Sequence, residues 1–298
     1  MINPSMATHP PRRPARKGLG CWMALFFLFI TPVFLCGLAF VFYLVFPPAP
    51  MDILILGLDA RPGEGFATRT DSIILLGVDP GRVRVSMLSI PRDLFIDVPG
   101  YGLQRINTVN AIGEQAQAGS GPALLSSGIE QDFGIGVDRY IRLNFDGFVQ
   151  LVDAVGGITI EVERTIVDNA YPLPDGGTTS IRFDPGMQVM DGETALIYAR
   201  TRHSDDDYAR AGRQQQVIMA LSRKLINPLY LPGALAALTR SVDTNMTLFD
   251  MVSVTPTILF NAGRFDNLVI NRDWITSRDG VAVPNFAALR PWIDERFD

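Results

Sequence analysis

Residues 51–79 read MDILILGLDARPGEGFATRTDSIILLGVD, two apolar runs joined by a polar loop. The runs at 51–58 and 72–79 are short, apolar and polar at their ends, which is typical of buried strands. If these strands are antiparallel neighbours with 60–70 as their loop, the carboxylates of Asp59 and Asp71 lie close together. Ligand-binding residues of α/β folds gather at such strand ends, so this stretch predicts both a sheet and a site.

Two neighbouring carboxylates repel each other unless a cation lies between them or one is protonated. Mg²⁺ bound by one or two carboxylates and by phosphate oxygens of a substrate fits Asp59 and Asp71. The alternative is that each carboxylate caps a strand end or pairs with Arg61 or Arg69. The spacing leaves both interpretations open.

The rest of the chain alternates strand and helix patterns. The pattern predicts strands at 82–90, 139–143, 158–162 and 268–271, and 268–271 is predicted to be the last strand. It predicts helices at 107–118, 122–133, 145–155, 192–200, 210–226, 235–241 and 248–261. Asp191 is a predicted N-cap, and Thr247 with Asp250 has capping-box spacing. Strands mixed with helices throughout indicate an α/β layered domain.

An uncharged run of 28 residues covers 19–46. A bilayer core needs roughly 20 apolar residues, so the run predicts a transmembrane helix. The alternative, a cleaved signal peptide, usually has an apolar stretch of only about 7–15 residues. Four basic residues, at positions 12, 13, 16 and 17, precede the run, which predicts a cytoplasmic N-terminus and an exported remainder.

These features divide the chain into a cytoplasmic tail (1–18), a transmembrane helix (19–46), a short proline-rich linker (47–50) and an exported domain (51–298). Both cysteines, Cys21 and Cys36, lie in the membrane run, so the exported domain holds no disulfide. Without the four basic residues of the tail, the domain carries a net charge of −9. This acidity argues against a nucleic-acid partner.

Arginine clusters downstream of the membrane run suggest phosphate binding, because guanidinium forks match phosphate oxygens. Arg200 and Arg202 stand at the end of a predicted helix, where they could share a ligand or neutralise the helix C-terminus. Asp207, Arg210 and Gln214 have i, i+3, i+7 spacing and share one helix face. That face could hold phosphate oxygens and orient a hydroxyl, or it could be a solvated surface.

Other chemistries lack their motifs. His203 is the only histidine in the exported part, which makes a zinc site improbable. The sequence contains neither a nucleophile elbow of the Gly-x-Ser-x-Gly type nor a P-loop. Arg213 lies on a different face of its helix from Arg210 and is predicted to be structural.

An ordered set of motifs resembles the LytR–CpsA–Psr family. The motifs are GLDAR at 57–61, RTDS at 69–72, SIPRD at 89–93, RIN at 105–107, LVDAVGG at 151–157, DGETAL at 191–196, YARTR at 198–202, and DYAR at 207–210 with RQQ at 213–215. Each motif alone is weak, but the ordered set, within 51–226, is highly specific.

The resemblance implies a three-layer α/β/α domain with a central mixed sheet behind a single transmembrane helix. It implies a phosphotransferase of the cell membrane that moves an anionic glycopolymer from a polyprenyl-pyrophosphate carrier to a peptidoglycan hydroxyl. The expected cofactor is Mg²⁺ (or Mn²⁺), and the expected partners are the lipid-linked glycopolymer, peptidoglycan and the bilayer.

The resemblance also assigns roles to residues. Asp59 and Asp71 would hold the metal, and the pyrophosphate clamp would consist of Arg69, Arg92, Arg200, Arg202, Arg210 and Gln214. Arg92, Arg200, Arg202 and Asp207 would be catalytic, with Asp207 orienting or deprotonating the acceptor hydroxyl. Many relatives have Gly-Gly after the Arg-Ile-Asn helix, whereas this chain has Gly113-Glu114. The substitution leaves the expected clamp intact and concerns the expected contacts with the acceptor.

Two other functions remain open at this point. An exported pyrophosphatase acting on lipid-linked pyrophosphates would use water in place of the sugar hydroxyl. A non-catalytic, membrane-tethered regulator would bind polyprenyl phosphates without reaction.

Overall fold

The apolar run near the N-terminus forms a helix, α1 (Leu19–Val45). Within α1, the 20 residues Phe26–Val45 have a mean hydropathy of 2.4 and are long and apolar enough to cross a membrane. The computed structural model describes residues 19–60, 65–173, 176–201 and 207–297. The chain divides into two compact units between Pro47 and Pro48.

The second unit mixes strands with helices, as the sequence pattern predicts. Its strands are β1 Met51–Leu58, β2 Thr70–Asp79, β3 Arg84–Ser89, β4 Phe95–Val98, β5 Gly102–Arg105, β6 Arg139–Leu143, β7 Ile158–Val162, β8 Ile166–Pro172, β9 Thr178–Phe183, β10 Gly186–Met190, β11 Val242–Thr244, β12 Asp266–Val269, β13 Ile275–Arg278 and β14 Val281–Pro284. Its helices are α2 Ile106–Ala116, α3 Gly121–Phe133, α4 Phe145–Ala154, α5 Gly192–Arg200, α6 Asp207–Leu225, α7 Leu231–Ser241, α8 Leu248–Phe260 and α9 Phe286–Arg296.

A six-stranded sheet in the order β11-β6-β1-β2-β3-β12 forms the centre of this unit. The pairs β1/β2 and β2/β3 are antiparallel, whereas β1/β6 and β3/β12 are parallel, so the sheet is mixed. The first two strands are antiparallel neighbours, with Ile55 opposite Ile74, so the condition for bringing Asp59 and Asp71 to one end of the sheet is met.

Each face of the sheet carries its own helices, because successive side chains of a strand point to opposite faces. Leu54 and Leu56 of β1 lie in a buried cluster with side chains of α2, α3 and α9. Ile53 lies in a second cluster, on the side of α6 and α8. The unit therefore has the predicted three-layer α/β/α architecture.

Several predicted helix ends are confirmed. Asp191 caps α5 by accepting a hydrogen bond from the backbone N–H of Thr194 at 2.8 Å. Thr247 and Asp250 form the predicted capping box at the start of α8. α4 ends before Gly156, whose φ of 72° suits a glycine.

The sequence pattern did not predict β4, β5 or β8–β11, and the C-terminal part of the fold also differs from the prediction. The segment 268–271 is not the last strand: β12 covers part of it, and β13, β14 and α9 follow. The β13–β14 turn has positive φ at Asp279 and Gly280. The Asp-Gly pair is a sequence signal for a tight hairpin turn, although no hairpin was predicted here. α9 contains Pro291, which reads as a helix breaker in sequence.

Candidate active site

A β-bulge at the start of β2 sets the direction of Asp71. Gly57 pairs with Ser72, but the next residue, Leu58, pairs with Thr70, so Asp71 is the extra residue. Bulges re-aim side chains and are common beside active sites. Asp71 lines a cavity at the end of β1, and Ser72 lines the same cavity.

Arg92 reaches this cavity from the turn that follows β3. The backbone N–H of Leu94 donates to the carbonyl of Pro91 at 3.2 Å, which closes the turn around Arg92. Nη1 of Arg92 lies 2.7 Å from Oδ1 of Asp71, and about one fifth of each side chain is exposed (22% and 20%). The two opposite charges are thus held together at the cavity wall.

Arg200, the last residue of α5, is held on several sides. Its guanidinium carbon lies 4.0 Å from the centre of the Phe145 ring, and its Nη1 donates to the hydroxyl of Tyr171 at 3.2 Å. Nη2 lies 3.9 Å from Oδ1 of Asp59. Burial raises the pKa of Tyr171, although Arg200 acts in the opposite direction, so the Tyr171 hydroxyl is neutral around pH 7.

One face of α6 forms another wall of the cavity. Arg210, Gln214, Val217 and Ile218 all line it, at the i, i+4, i+7, i+8 spacing of a single helix face. Arg210 is buried, with 5% of its surface exposed. This face begins with a charged and a polar side chain and continues with apolar ones.

Arg213 and Gln215, on other faces of α6, fix the helix in place. The Arg213 guanidinium donates to the carbonyls of Tyr198, at 3.1 Å, and of Thr201, groups at a helix C-terminus that lack partners within the helix. The Gln215 amide donates to Oγ of Ser89 at 2.9 Å. The structural role predicted for Arg213 is confirmed, and α6 is tied both to the end of α5 and to the sheet.

The cavity has a volume of about 380 Å³ and lies between these elements. Along β1 its lining changes from Asp59 to Ile55, and along α6 from Arg210 to Ile218. Eight residues of helix correspond to about 12 Å, so polarity changes over that distance. The cavity therefore has a charged end, beside the loops, and an apolar end, between the sheet and α6.

The cavity lining combines guanidinium groups with the carboxylates of Asp59, Asp71 and Asp168, a set that suits a phosphate accompanied by a divalent cation. Among the described residues, no three or more His, Cys, Asp or Glu side chains cluster as metal ligands. Mg²⁺ typically takes one or two carboxylates and completes its shell with water and phosphate oxygens. Asp59 and Asp71 therefore fit Mg²⁺ bound together with a phosphate ligand.

A model of the LytR_cpsA_psr family matches residues 47–282, which include β1, the turn after β3 that carries Arg92, α5 and α6. The chain belongs to the LytR_cpsA_psr family. The match extends beyond the motif core at 51–226, up to β14.

Relatives of this LytR_cpsA_psr protein have been named in several bacteria. The polyisoprenyl-teichoic acid–peptidoglycan teichoic acid transferase TagU of Oceanobacillus iheyensis is 40% identical over 172 residues, 57% of this chain and 50% of TagU. Regulatory protein MsrR of Staphylococcus aureus is 32% identical over 202 residues, 66% of this chain and 56% of MsrR. The chain thus matches about half the length of these relatives.

The solved structures of the family share the fold. The crystal structure of TagV from B. subtilis superposes with a TM-score of 0.65 at 25% identity, covering 83% of this chain and 97% of TagV. The α/β/α domain is therefore the family fold.

The structure brings together six of the site residues that the family resemblance implied. They all line the one cavity: Asp59, Asp71, Arg92, Arg200, Arg210 and Gln214. Arg69 directly precedes β2, is exposed and is not part of the lining. Arg202 lies outside the described residues. Asp207 begins α6, but its side chain is not among those described.

Sequence reasoning missed other residues of the cavity. Phe145 and Tyr171 contact Arg200, and Phe148 and Asp168 complete the wall. Asp168 is 1% exposed, and its Oδ1 accepts a hydrogen bond from the backbone N–H of Ala170 at 3.0 Å. An isolated acid or aromatic residue in a strand or helix has no spacing signal, so only the fold identifies these side chains.

Arg142, the penultimate residue of β6, centres a buried polar network. Its Nη1 lies 2.6 Å from Oε1 of Glu114 and donates to Oδ1 of Asn110 at 3.0 Å. Its Nη2 lies 2.7 Å from Oδ2 of Asp243, and its guanidinium stacks 4.3 Å from the Phe66 ring centre. The network thus joins β6 to α2, β11 and the β1–β2 loop.

The same network fixes the loop that leads to Asp71. The side-chain amide of Asn110 donates to the carbonyls of Phe66, at 2.9 Å, and Thr68, at 3.0 Å. Thr68 is three residues before Asp71. The loop backbone is therefore held from α2 just before the bulge.

Glu114, where the family resemblance implies a second glycine, belongs to the same buried network. Burial by itself would raise its pKa, but hydrogen bonds from the backbone N–H of Gly119 and from Arg142 outweigh burial and lower the pKa. Gly113 packs so closely on Gly121 that an added Cβ would lie 2.7 Å from the Gly121 Cα. Glu114 thus adds an ion pair between α2 and β6, beside the close contact of α2 with α3.

Proposed function

We propose that this protein is a transferase that moves an anionic glycopolymer from a polyprenyl-pyrophosphate carrier to a peptidoglycan hydroxyl, with the help of Mg²⁺. The observation that carries the proposal is the single cavity with a charged end and an apolar end. A prenyl diphosphate has the same division, a highly charged head on an apolar chain. The transferase name of the relative TagU supports the same reaction class.

The charged end suits the diphosphate. Arg92, Arg200 and Arg210 together neutralise several negative charges, and planar guanidinium groups bind phosphate oxygens in pairs. Phe145 and Tyr171 restrain Arg200, so little of its side-chain freedom remains to be lost on binding. Gln214 adds an amide donor, whereas Arg69 and Arg202 belong to the proposed clamp through the family resemblance alone.

Asp59 and Asp71 would hold Mg²⁺, which supplies charge neutralisation at the diphosphate when bound. Because each carboxylate has an arginine within 4 Å, the acidic and basic groups hold one another in place when no diphosphate is bound. Such preorganised charges lower the barrier of phosphoryl transfer, which depends mainly on positioning and electrostatic stabilisation.

In the proposed reaction, the oxygen of a muramic acid hydroxyl attacks the phosphorus that is linked to the polymer. The bond from that phosphorus to the bridging oxygen breaks, and polyprenyl phosphate leaves with the electron pair. The hydroxyl proton passes to Asp207, which stands one helical turn before Arg210 on the same face of α6. The product is a phosphodiester between polymer and peptidoglycan.

We place this reaction outside the cytoplasm. α1 would anchor the chain, and the basic residues at positions 12, 13, 16 and 17 would stay on the cytoplasmic side. The domain would then face peptidoglycan, with the bilayer as the source of the lipid-linked polymer.

A regulator is the second candidate, because the relative MsrR is named a regulatory protein. Such a protein would bind the prenyl diphosphate in the same cavity and transfer nothing. A pyrophosphatase would differ from the transferase only in using water as the nucleophile.

Reconstitution separates these functions. The full chain is placed in vesicles that contain a polyprenyl-diphosphate-linked polymer, and Mg²⁺ and peptidoglycan fragments are added. We expect polymer bound covalently to peptidoglycan and one polyprenyl phosphate released for each bond formed, with both products lost when a chelator removes Mg²⁺. Free phosphorylated polymer without attachment would identify a pyrophosphatase, and binding without any product would identify a regulator.

A further inference from the structure

Helix α8 carries an apolar face that the described part of the domain leaves exposed. Leu248, Phe249, Val252 and Phe260 are 64%, 77%, 63% and 55% exposed. Positions 249, 252, 256 and 260 follow one another on a single side of the helix. Single exposed apolar residues are ordinary, but a continuous apolar helix face marks an interaction surface.

The exposed face carries no charge. The only ionisable residue of α8, Asp250, is 6% exposed and receives hydrogen bonds from Nε and Nη2 of Arg139, at 2.7 and 3.2 Å. The Arg139 hydrogen bond holds the pKa of Asp250 well below its usual range. The paired carboxylate therefore lies on the buried side and leaves the outer side apolar.

Both ends of α8 lie at the edge of the sheet where β1 begins. Its first turn is tied to Arg139, the first residue of β6, and β6 runs parallel to β1. Just past its end, the Asn261 side-chain amide donates to the carbonyl of Val83 in the β2–β3 turn at 2.9 Å. Because β2 is antiparallel to β1, that turn also lies beside the start of β1. α8 thus crosses the edge from which the preceding chain leaves.

The preceding chain is short and leads to the candidate membrane helix. Met51 packs in the same cluster as Val254 and Ile258 on the inner side of α8. Only residues 46–50 separate Met51 from the last residue of α1, and five extended residues span at most about 18 Å. With α1 in a bilayer, this short linker keeps the start of β1 close to the membrane.

Exposed arginines flank the C-terminal end of α8. The Arg82 side chain, 64% exposed, precedes Val83, and its Nη1 lies 3.3 Å from Oδ2 of Asp79. Arg264 is exposed, and its backbone N–H donates to the carbonyl of Asn261 at 2.7 Å. Basic residues beside an apolar helix face favour a membrane with anionic lipids.

We propose that α8 lies in the interface of the adjacent lipid leaflet, with Phe249, Val252 and Phe260 among the acyl chains. The helix would hold the start of β1 against the bilayer. Ile55, at the apolar end of the cavity, is nearer to that end of β1 than Asp59 is, so a prenyl chain in the cavity would point toward the membrane. The inference rests on α1 as the anchor and does not depend on the transfer reaction.

Spin labels on the full chain test the proposal. Cys21→Ala and Cys36→Ala remove the native thiols, and a nitroxide is attached at Phe249→Cys in one sample and at Val189→Cys in the other. Val189, on β10, is the matched control, because it is apolar and 76% exposed, compared with 77% for Phe249. The protein is reconstituted in vesicles of phosphatidylcholine and phosphatidylglycerol, and collision rates with oxygen and with a water-soluble nickel complex are measured.

We expect the collision rate with nickel to be several-fold lower at position 249 than at 189, while oxygen still reaches the label at 249 as it does in lipid. Equal nickel rates at the two positions would overturn the proposal. Loss of both oxygen and nickel collisions at 249 would also overturn it, because such shielding indicates a protein partner or a second copy of the chain. Failure of the transfer assay leaves this result unaffected, so the two proposals can fail separately.

Discussion

Asp71→Asn should reduce polymer transfer by about 10²–10³-fold, since removal of one preorganised electrostatic group at a reacting centre commonly costs that much. The substitution removes the charge that pairs with Arg92 at 2.7 Å and one of the two carboxylates proposed for Mg²⁺. Asparagine has nearly the same shape, so the bulge and the cavity wall should persist. The measurement is the initial rate of polymer attachment in the reconstituted vesicles.

The matched control is Asp93→Asn. Asp93 lies 3.8 Å from the same arginine and 3.3 Å from Arg105, but it is half exposed and does not line the cavity. We expect it to retain transfer within a few-fold of the parent protein. A similar loss in both variants would show that charge around Arg92, and not a carboxylate in the cavity, governs the rate.

Arg142→Met should cause a large loss of stability. The change leaves Glu114, 7% exposed, as a buried carboxylate without its cation, and removal of one partner of a buried ion pair costs about 3–5 kcal/mol. For a domain of this size, that loss corresponds to a decrease in Tm on the order of 10 °C. Thermal unfolding followed by circular dichroism in detergent measures the effect.

The control is Arg182→Met, the same substitution in a pair with Asp184 whose side chains are 62% and 64% exposed. Surface pairs contribute about 1 kcal/mol or less, so its Tm should hardly change. Equal shifts in the two variants would contradict the role assigned to the buried network.

The effect of Arg142→Met should also depend on pH. In the parent protein the folded pKa of Glu114 is lowered, so its stabilisation is complete above the unfolded value of about 4.3 and is lost as the pH falls through the folded value. The difference in stability between parent and variant should therefore narrow below about pH 4. A difference that stays constant down to pH 3 would exclude Glu114 as its source.

Local patterns predicted eight of the nine described α-helices but only six of the fourteen described strands. The apolar runs at 51–58 and 72–79 and the capping box at Thr247 needed only neighbouring residues, and the structure confirms them. Pairings between distant segments were not predictable from such patterns. β7 reads like any buried strand, yet it pairs with β10 in a separate two-stranded sheet, because the partner is set by packing of the whole unit.

Spacing along α6 predicted which of its residues share a face, since helical geometry fixes that relation within one element. The prediction that Arg92 lies near Asp71 and that Arg200 lies near Asp59 rested only on the motif order of the family. The stacking of Arg200 on Phe145 and the network around Arg142 join residues far apart in the chain. No local pattern encodes those contacts, so the structure was needed to find them.

The most direct test of the cavity's proposed role is a crystal structure of the protein with a short prenyl diphosphate and Mg²⁺. We expect the diphosphate oxygens to contact Arg92, Arg200 and Arg210, and the prenyl chain to lie between Ile55 and Ile218. A diphosphate bound away from these arginines, or a prenyl chain directed out past Asp59, would contradict the account.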